Sequence, residues 1–296
     1  MRRWLTASIE GASYVADRSS LWLPGALAWI VTVGWVTLLF GVARPPTIAE
    51  LTFLGAGIFT SGAWPWNGIA IVVVGLLVAG VAIALASAAE AVILHGRRAG
   101  VADVRAIDAI GVVCAIPLLV TTLALGAAFF PIAPAEFNEP GTDGGPLVRT
   151  LRALSPYGAA MLVAAVLGSA IHAAAIRAAR GPDVRSALAA APVMLGRAGT
   201  AAIAQVLALL AARIAYVVLS AILLRVLWAP IEVQLSAEGI GVVAALLLVG
   251  FVAIWLCLVL AGGALHAWGS VSWTRLLEAR GREAGAVAQM ESRSRP

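Results

Sequence analysis

The chain has 296 residues, of which 61% are apolar and 12% charged, and its mean hydropathy is +0.98. Soluble domains carry roughly 45–50% apolar and about 25% charged residues, so this composition excludes them and points to a polytopic membrane protein. All 20 basic residues are arginine and the net charge is +5; they sit beside hydrophobic runs rather than in a separate basic domain, which argues against nucleic-acid binding.

The first twenty residues begin with Arg2 and Arg3, but Glu10, Asp17 and Arg18 stand where a cleaved signal peptide needs an apolar core. Leu5, Ile9 and Ala12 share one helical face. Residues 1–20 are therefore expected to form a cytoplasmic amphipathic helix lying on the membrane. Residues 21–266 then contain six segments that reach the about 20 apolar residues a bilayer requires. They cover approximately 21–42, 69–94, 106–130, 158–176, 201–227 and 241–265. Pro45 and Pro46, Pro131 and Pro134, and Pro230 are expected to end the first, third and fifth spans. Residues 267–296 form a basic tail.

On the outer side, Ile48, Leu51, Leu54 and Ile58 predict one short surface helix, and Leu147, Leu151 and Leu154 another. Residues 136–145 read as a flexible, turn-rich loop. Fifteen of the 20 arginines lie on the side of the termini, counting Arg2, Arg3 and Arg18, the connections at 97–105 and 177–197, and the tail. That asymmetry places both termini in the cytoplasm, with the chain in the cell (inner) membrane. Trp64, Trp66 and Trp228 fall at the outer boundary and Trp4, Trp268 and Trp273 at the inner one, where amphipathic rings favour the interface.

The fold class that follows is all-α, with six transmembrane helices arranged as three parallel-repeat hairpins and short amphipathic interfacial helices. The inner connections support the repeat. Residues 97–105 align over 177–185, and both continue into alanine-rich stretches after Asp103 and Asp183, which suit a helix N-terminus. Small residues at four-residue spacing mark the expected packing faces: Gly80, Ala84 and Ala88 on the second span, and Ala160, Ala164 and Gly168 on the fourth. Gly262 and Gly263 serve the sixth. The even-numbered helices are thus expected to form the inner bundle.

Few polar groups enter the apolar segments. Arg213 stands in the fifth span, where a charge costs roughly 2.5–3.5 kcal/mol on insertion scales and should face protein or water. Gln205, Tyr216 and Ser220 extend a polar stripe on the same helix, and Glu90 on the second span is the expected partner of Arg213. This set reads either as a transport path or as a buried polar contact. His95, His172 and His266 occupy equivalent places near the inner ends of the even spans, a pattern that would allow ligation of haem or another pigment metal. No carboxylate is spaced to orient their rings, so no cofactor and no metal are expected.

Zinc helices of the HExxH type, Gly-x-Ser-x-Gly elbows and Walker loops are absent from the sequence. Cys114 and Cys257 lie in apolar runs that favour inert packing. The layout of six spans, an amphipathic start and inner connections opening with Asp103-Val104-Arg105 and Asp183-Val184-Arg185 resembles the broad group of bacterial six-helix membrane domains that includes those joined to glycerophosphodiester phosphodiesterases. The soluble phosphodiesterase part of such fusions has no counterpart in this sequence. The expected function is a non-enzymatic membrane subunit or scaffold, with the bilayer and other membrane subunits as partners. A small-solute or lipid permease using Arg213 and Glu90 is the alternative, and a haem- or pigment-binding subunit the second.

Overall fold

The computed structural model describes residues 2–293 apart from 44–46, 48–49, 51–52, 54–56, 59, 139–144, 180–182 and 239–240, with the backbone alone for 2, 3, 97, 238 and 279–293. The described residues are helical and contain no strand. Six helical segments are long and apolar enough to cross a membrane: Ser19–Val42, Trp66–His95, Val101–Asn138, Pro146–Ala178, Thr200–Ala237 and Val242–Glu278. The chain is a multi-pass membrane protein.

An N-terminal helix, α1, covers Arg2–Ala16. The first span consists of α2 (Trp22–Trp29), a π-helical turn at Ile30–Gly34 and α3 (Trp35–Val42). The remaining helices are α4 (Trp66–His95), α5 (Val101–Asn138), α6 (Pro146–Ala178), α7 (Val184–Ala198), α8 (Thr200–Glu238) and α9 (Val242–Arg293). Two compact units divide the chain: Met1–Ala43, Ala82–Ile110 and Ala170–Pro296 make the first, and Arg44–Val81 and Gly111–Ser169 the second.

In the first unit, glycines let α2 and α9 meet backbone to backbone. A Cβ on Gly25 would strike the Gly263 carbonyl, and one on Gly263 would strike the Ala26 amide and the Trp22 carbonyl. Lipid tails are as apolar as the helices, so contact of this quality has to supply much of the association energy. One turn on, Gly262 and Gly34 make room for the Trp29 ring, which is buried and stands edge-on to Tyr216 with centroids 5.4 Å apart. Farther along the first span, Gly41 of α3 fits against Leu224 of α8, and Leu224, Ile231 and Phe251 form a buried cluster.

The N-terminal helix is part of this core. Ala7, Ser8, Gly11 and Val15 form its buried face, with Val15 packed among Ile93, Ala267 and Val271. Trp268 Nε1 donates to the Ser8 carbonyl at 2.8 Å, and Trp22 Nε1 to the Val15 carbonyl at 3.1 Å. Leu5, Ile9 and Ala12, the face expected to lie on the membrane, are exposed and take no part in this packing. Small side chains win the inward position because they allow α1 to approach α9, where Gly11 meets Ser272.

Several other expectations change. The helix α5 runs through Pro131 and Pro134 to Asn138, and α8 runs through Pro230 to Glu238. A proline removes one hydrogen bond, and the turns on either side keep theirs, so a long helix can continue. Leu147, Leu151 and Leu154 belong to α6 itself, not to a separate surface helix. Residues 267–277 are no free tail: α9 is unbroken to Arg293, and Ala267, Val271, Trp273, Leu276 and Leu277 are buried. Pro45, Pro46, Ile48, Leu51, Leu54 and most of the 136–145 loop lie outside the described residues.

The two aligned connections also diverge. In the first, Asp103 sits in the first turn of α5 and accepts from the Gly100 amide at 2.9 Å. In the second, Asp183 is itself the N-cap of α7 and accepts from the Ser186 amide at 3.1 Å. Gly199, at φ +57°, then ends α7 before α8 begins, whereas α5 continues from its first turn into the span.

The second unit is more open. Gly168 approaches the Cys114 carbonyl, 2.9 Å from where its Cβ would sit. Arg149 Nε pairs with Glu136 Oε2 at 3.0 Å, and its Nη2 donates to the Glu136 carbonyl at 2.6 Å. A cavity of about 490 Å³ has a wholly apolar lining that includes Trp64, Pro65, Ile69, Val72 and Phe130.

Candidate functional site

Polar side chains converge in the first unit near the end of α4. Glu90 projects from the last turns of α4 and Arg177 from the last turn of α6. From α9 come His266, Ser270 and Thr274, whose four-residue spacing places them on one face. The Glu90 and Arg177 side chains are only 10% and 6% exposed.

Each member is held by several bonds. Ser270 Oγ donates to Glu90 Oε1, and His266 Nε2 stands 3.2 Å from Glu90 Oε2. Arg177 Nη2 lies 3.8 Å from Glu90 Oε1. The same guanidinium donates from Nε to Thr274 Oγ1 at 2.9 Å and from Nη1 to the Ala173 carbonyl at 2.7 Å. Its Nη2 reaches both the carbonyl and the hydroxyl of Ser270. Buried ions persist only when their remaining hydrogen-bonding capacity is met in this way. Both carboxylate oxygens are occupied, and the cluster ties α4, α6 and α9 together.

The expected contact between Arg213 and Glu90 is replaced by the contact from Arg177. Arg213 acts on Glu90 only through space, and among the described residues it makes neither a hydrogen bond nor an ion pair. Its Nη2 instead lies beside Gly269, 3.9 Å from the position a Cβ would take. The rest of the polar stripe on α8 is spent on neighbouring helices. Gln205 is fully buried and accepts from Ser8 Oγ of α1 at 3.1 Å. Tyr216 donates to the Leu258 carbonyl of α9 at 2.5 Å, and Ser220 is buried one turn on.

The three histidines do not form a set. His266 is bound to Glu90, His172 is within electrostatic reach of Glu90, Arg177 and His266, and His95 is exposed. Among the described residues, no group of three or more His, Cys, Asp or Glu side chains could hold a metal ion.

The small-residue faces divide in a similar way. Gly262 and Gly263 make the tightest helix contacts, and Gly168 packs on α5. By contrast, a Cβ on Gly80 would meet nothing within 4 Å, Ala84 and Ala160 are exposed, and Ala88 and Ala164 are half-buried. Of the even spans, the sixth makes the close backbone contact in the first unit, with α2 of the first span, while the second presents Gly80 to open space. Spacing permits close approach, but a matching groove has to face it.

Sequence reasoning missed Arg177, which counted only as an orientation charge, together with Ser270, Thr274 and Ser8. The available signal was His266, Ser270 and Thr274 repeating every four residues at the end of an apolar helix. Asp108 is a second acid inside a span, half-buried near the start of α5, and it makes no contact with this cluster among the described residues. Comparison with protein-family models, with curated proteins and with solved structures found no match.

Proposed function

We propose that the protein is a non-enzymatic integral membrane subunit or scaffold of a larger membrane assembly. Its setting is the cell (inner) membrane, with both termini in the cytoplasm as the arginine distribution implies. The observation that carries this reading is an unused packing face on α4. Gly80, Ala84 and Ala88 recur every four residues, yet among the described residues nothing lies within 4 Å of where a Gly80 Cβ would sit, and Ala84 is exposed. Such a stripe suits close approach of another helix, whereas lipid contact needs no small residues. The saturated Glu90 cluster supports the same reading, because its charges are engaged in holding helices and not left free for chemistry.

A photoreactive phenylalanine at Leu77, 64% exposed and one turn from Gly80, tests this in intact membranes. The expected result is a discrete heavier adduct with a second membrane polypeptide, lost when Gly80→Leu fills the stripe. Diffuse lipid adducts alone would overturn the reading.

A further inference from the structure

The scaffold reading leaves Arg213 unexplained, and the inference drawn from it does not depend on that reading. Arg213 lies on the inward line of α8 formed by Gln205, Leu209, Tyr216 and Ser220. Its guanidinium reaches Gly269 of α9, a position without a side chain that also faces Leu209. Gly269 follows Trp268, whose ring donates to the Ser8 carbonyl of α1. Arg213 therefore starts inside a span and ends on the side of α1. A long arginine stem makes that reach possible.

The carboxylate that Arg213 feels is already engaged. Glu90 acts on Arg213 only through space, and its two oxygens are taken by Ser270, His266 and Arg177. A guanidinium offers five N–H donors in a planar fork. Those of Arg213 make no bond among the described residues, and the residue is half-buried. An arginine in this setting needs an acceptor. Tetrahedral phosphate matches the fork with two parallel charge-assisted bonds and brings a negative charge to the guanidinium.

We propose that Arg213, where α8 meets Gly269 of α9, is the anchor of a phosphate-binding site. The phosphate is that of a lipid headgroup or a free anion, and one experiment separates the two sources. The purified full chain in maltoside micelles is melted while tryptophan fluorescence is followed. Short-chain phosphatidic acid, diacylglycerol with the same chains, and inorganic phosphate against chloride at equal ionic strength are the additions.

Saturable binding should raise the melting temperature by about 2–4 °C for a ligand near ten times its Kd. Phosphatidic acid giving the shift, with diacylglycerol and phosphate inert, assigns a lipid headgroup; inorganic phosphate giving it assigns a free anion. Either result upholds the site if Arg213→Gln removes the shift and Arg213→Lys, which keeps charge but loses the fork, weakens it. No shift in the unaltered protein from any phosphate compound overturns the proposal, as does an equal shift in Arg213→Gln. Should Arg213→Gln fail to fold, the unaltered chain and Arg213→Lys still decide the matter: equal shifts in those two would also overturn it.

Discussion

The two compact units use the same residue types to opposite effect. In the first, Gly25 and Gly263 bring two backbones together, and a carboxylate and a guanidinium are buried within a web of side chains. In the second, Gly75 and Gly80 would meet nothing among the described residues if they gained a Cβ, and the pair of Glu136 with Arg149 retains 25% and 15% exposure. A glycine or an ion pair in an apolar sequence thus states a capacity. Whether it becomes a stabilising contact depends on what the fold brings to face it.

Ion pairs give the sharpest way to break that comparison. Glu90→Leu leaves Arg177 buried with only the weaker pull of Glu278, and removal of one partner of a buried pair costs about 3–5 kcal/mol. Glu136→Leu, at a wetter site, should cost about 0–1 kcal/mol. Urea unfolding in mixed micelles measures both. Equal losses would mean that the Glu90 cluster is as solvated as the Glu136 pair, and the contrast between the units would collapse. Replacing Glu90 and Arg177 together with apolar residues should recover much of the loss, since the penalty comes from the orphaned charge.

Glycines give the next effect. Gly263→Val forces a side chain into the Ala26 amide and the Trp22 carbonyl, which cannot yield as a flexible side chain would. Overpacking of this kind costs typically about 1–3 kcal/mol, and more where backbone must move. Gly80→Val meets open space and should stay within about 0.5 kcal/mol for the isolated chain. Thermal melting ranks the two. If Gly80→Val proved the more harmful, α4 would have an internal partner at that position.

These contrasts mark what was legible in the sequence and what was not. Six spans followed from hydropathy alone, because a run of about 20 apolar residues has few other uses. Gly262 and Gly263 were legible as a close-packing point, since adjacent glycines in a span rarely serve lipid contact. The pairing of helices was not legible: Gly80-Ala84-Ala88 carries a better four-residue repeat than Gly25 with Ala26, yet only the latter finds a groove. Arg177 was hidden by its position, as an arginine at a span end serves orientation in most cases. The packing face of α1 was not legible because burial there selects small residues, while periodicity arguments weight large ones.

A smaller effect concerns how α1 is held. Ser8→Ala removes the donor to Gln205 Oε1, in a seam where Gln205 Nε2 and Ser272 Oγ already lack partners. The loss of such a buried bond is about 1–3 kcal/mol, near the low end where water can enter. Hydrogen exchange should show α1 opening more often while α2 and α9 keep their protection, because the Gly25–Gly263 contact is independent of Ser8. Uniform acceleration across all three helices would show instead that α1 and the core open as one unit.

The smallest effect sharpens the comparison at the inner connections, where aligned aspartates do different work. Bonds from Ser186, through its backbone and its side chain, hold the Asp183 carboxyl below the usual aspartate range. A depressed carboxylate contributes stability that is present above the unfolded value, near 3.9, and is lost as pH falls through the folded value. The cap should therefore be intact at neutral pH, with the first turn of α7 fraying only in strongly acidic solution. Because Asp183 is fully solvated, the change should be local, visible as faster amide exchange at residues 185–187 and absent from α8. Asp183→Asn keeps an N-cap acceptor without the charge, so its α7 should exchange at the same rate across that acid range. If the unaltered chain also showed no acid dependence, Ser186 would not be drawing on the charge of Asp183, and the two connections would differ in geometry alone.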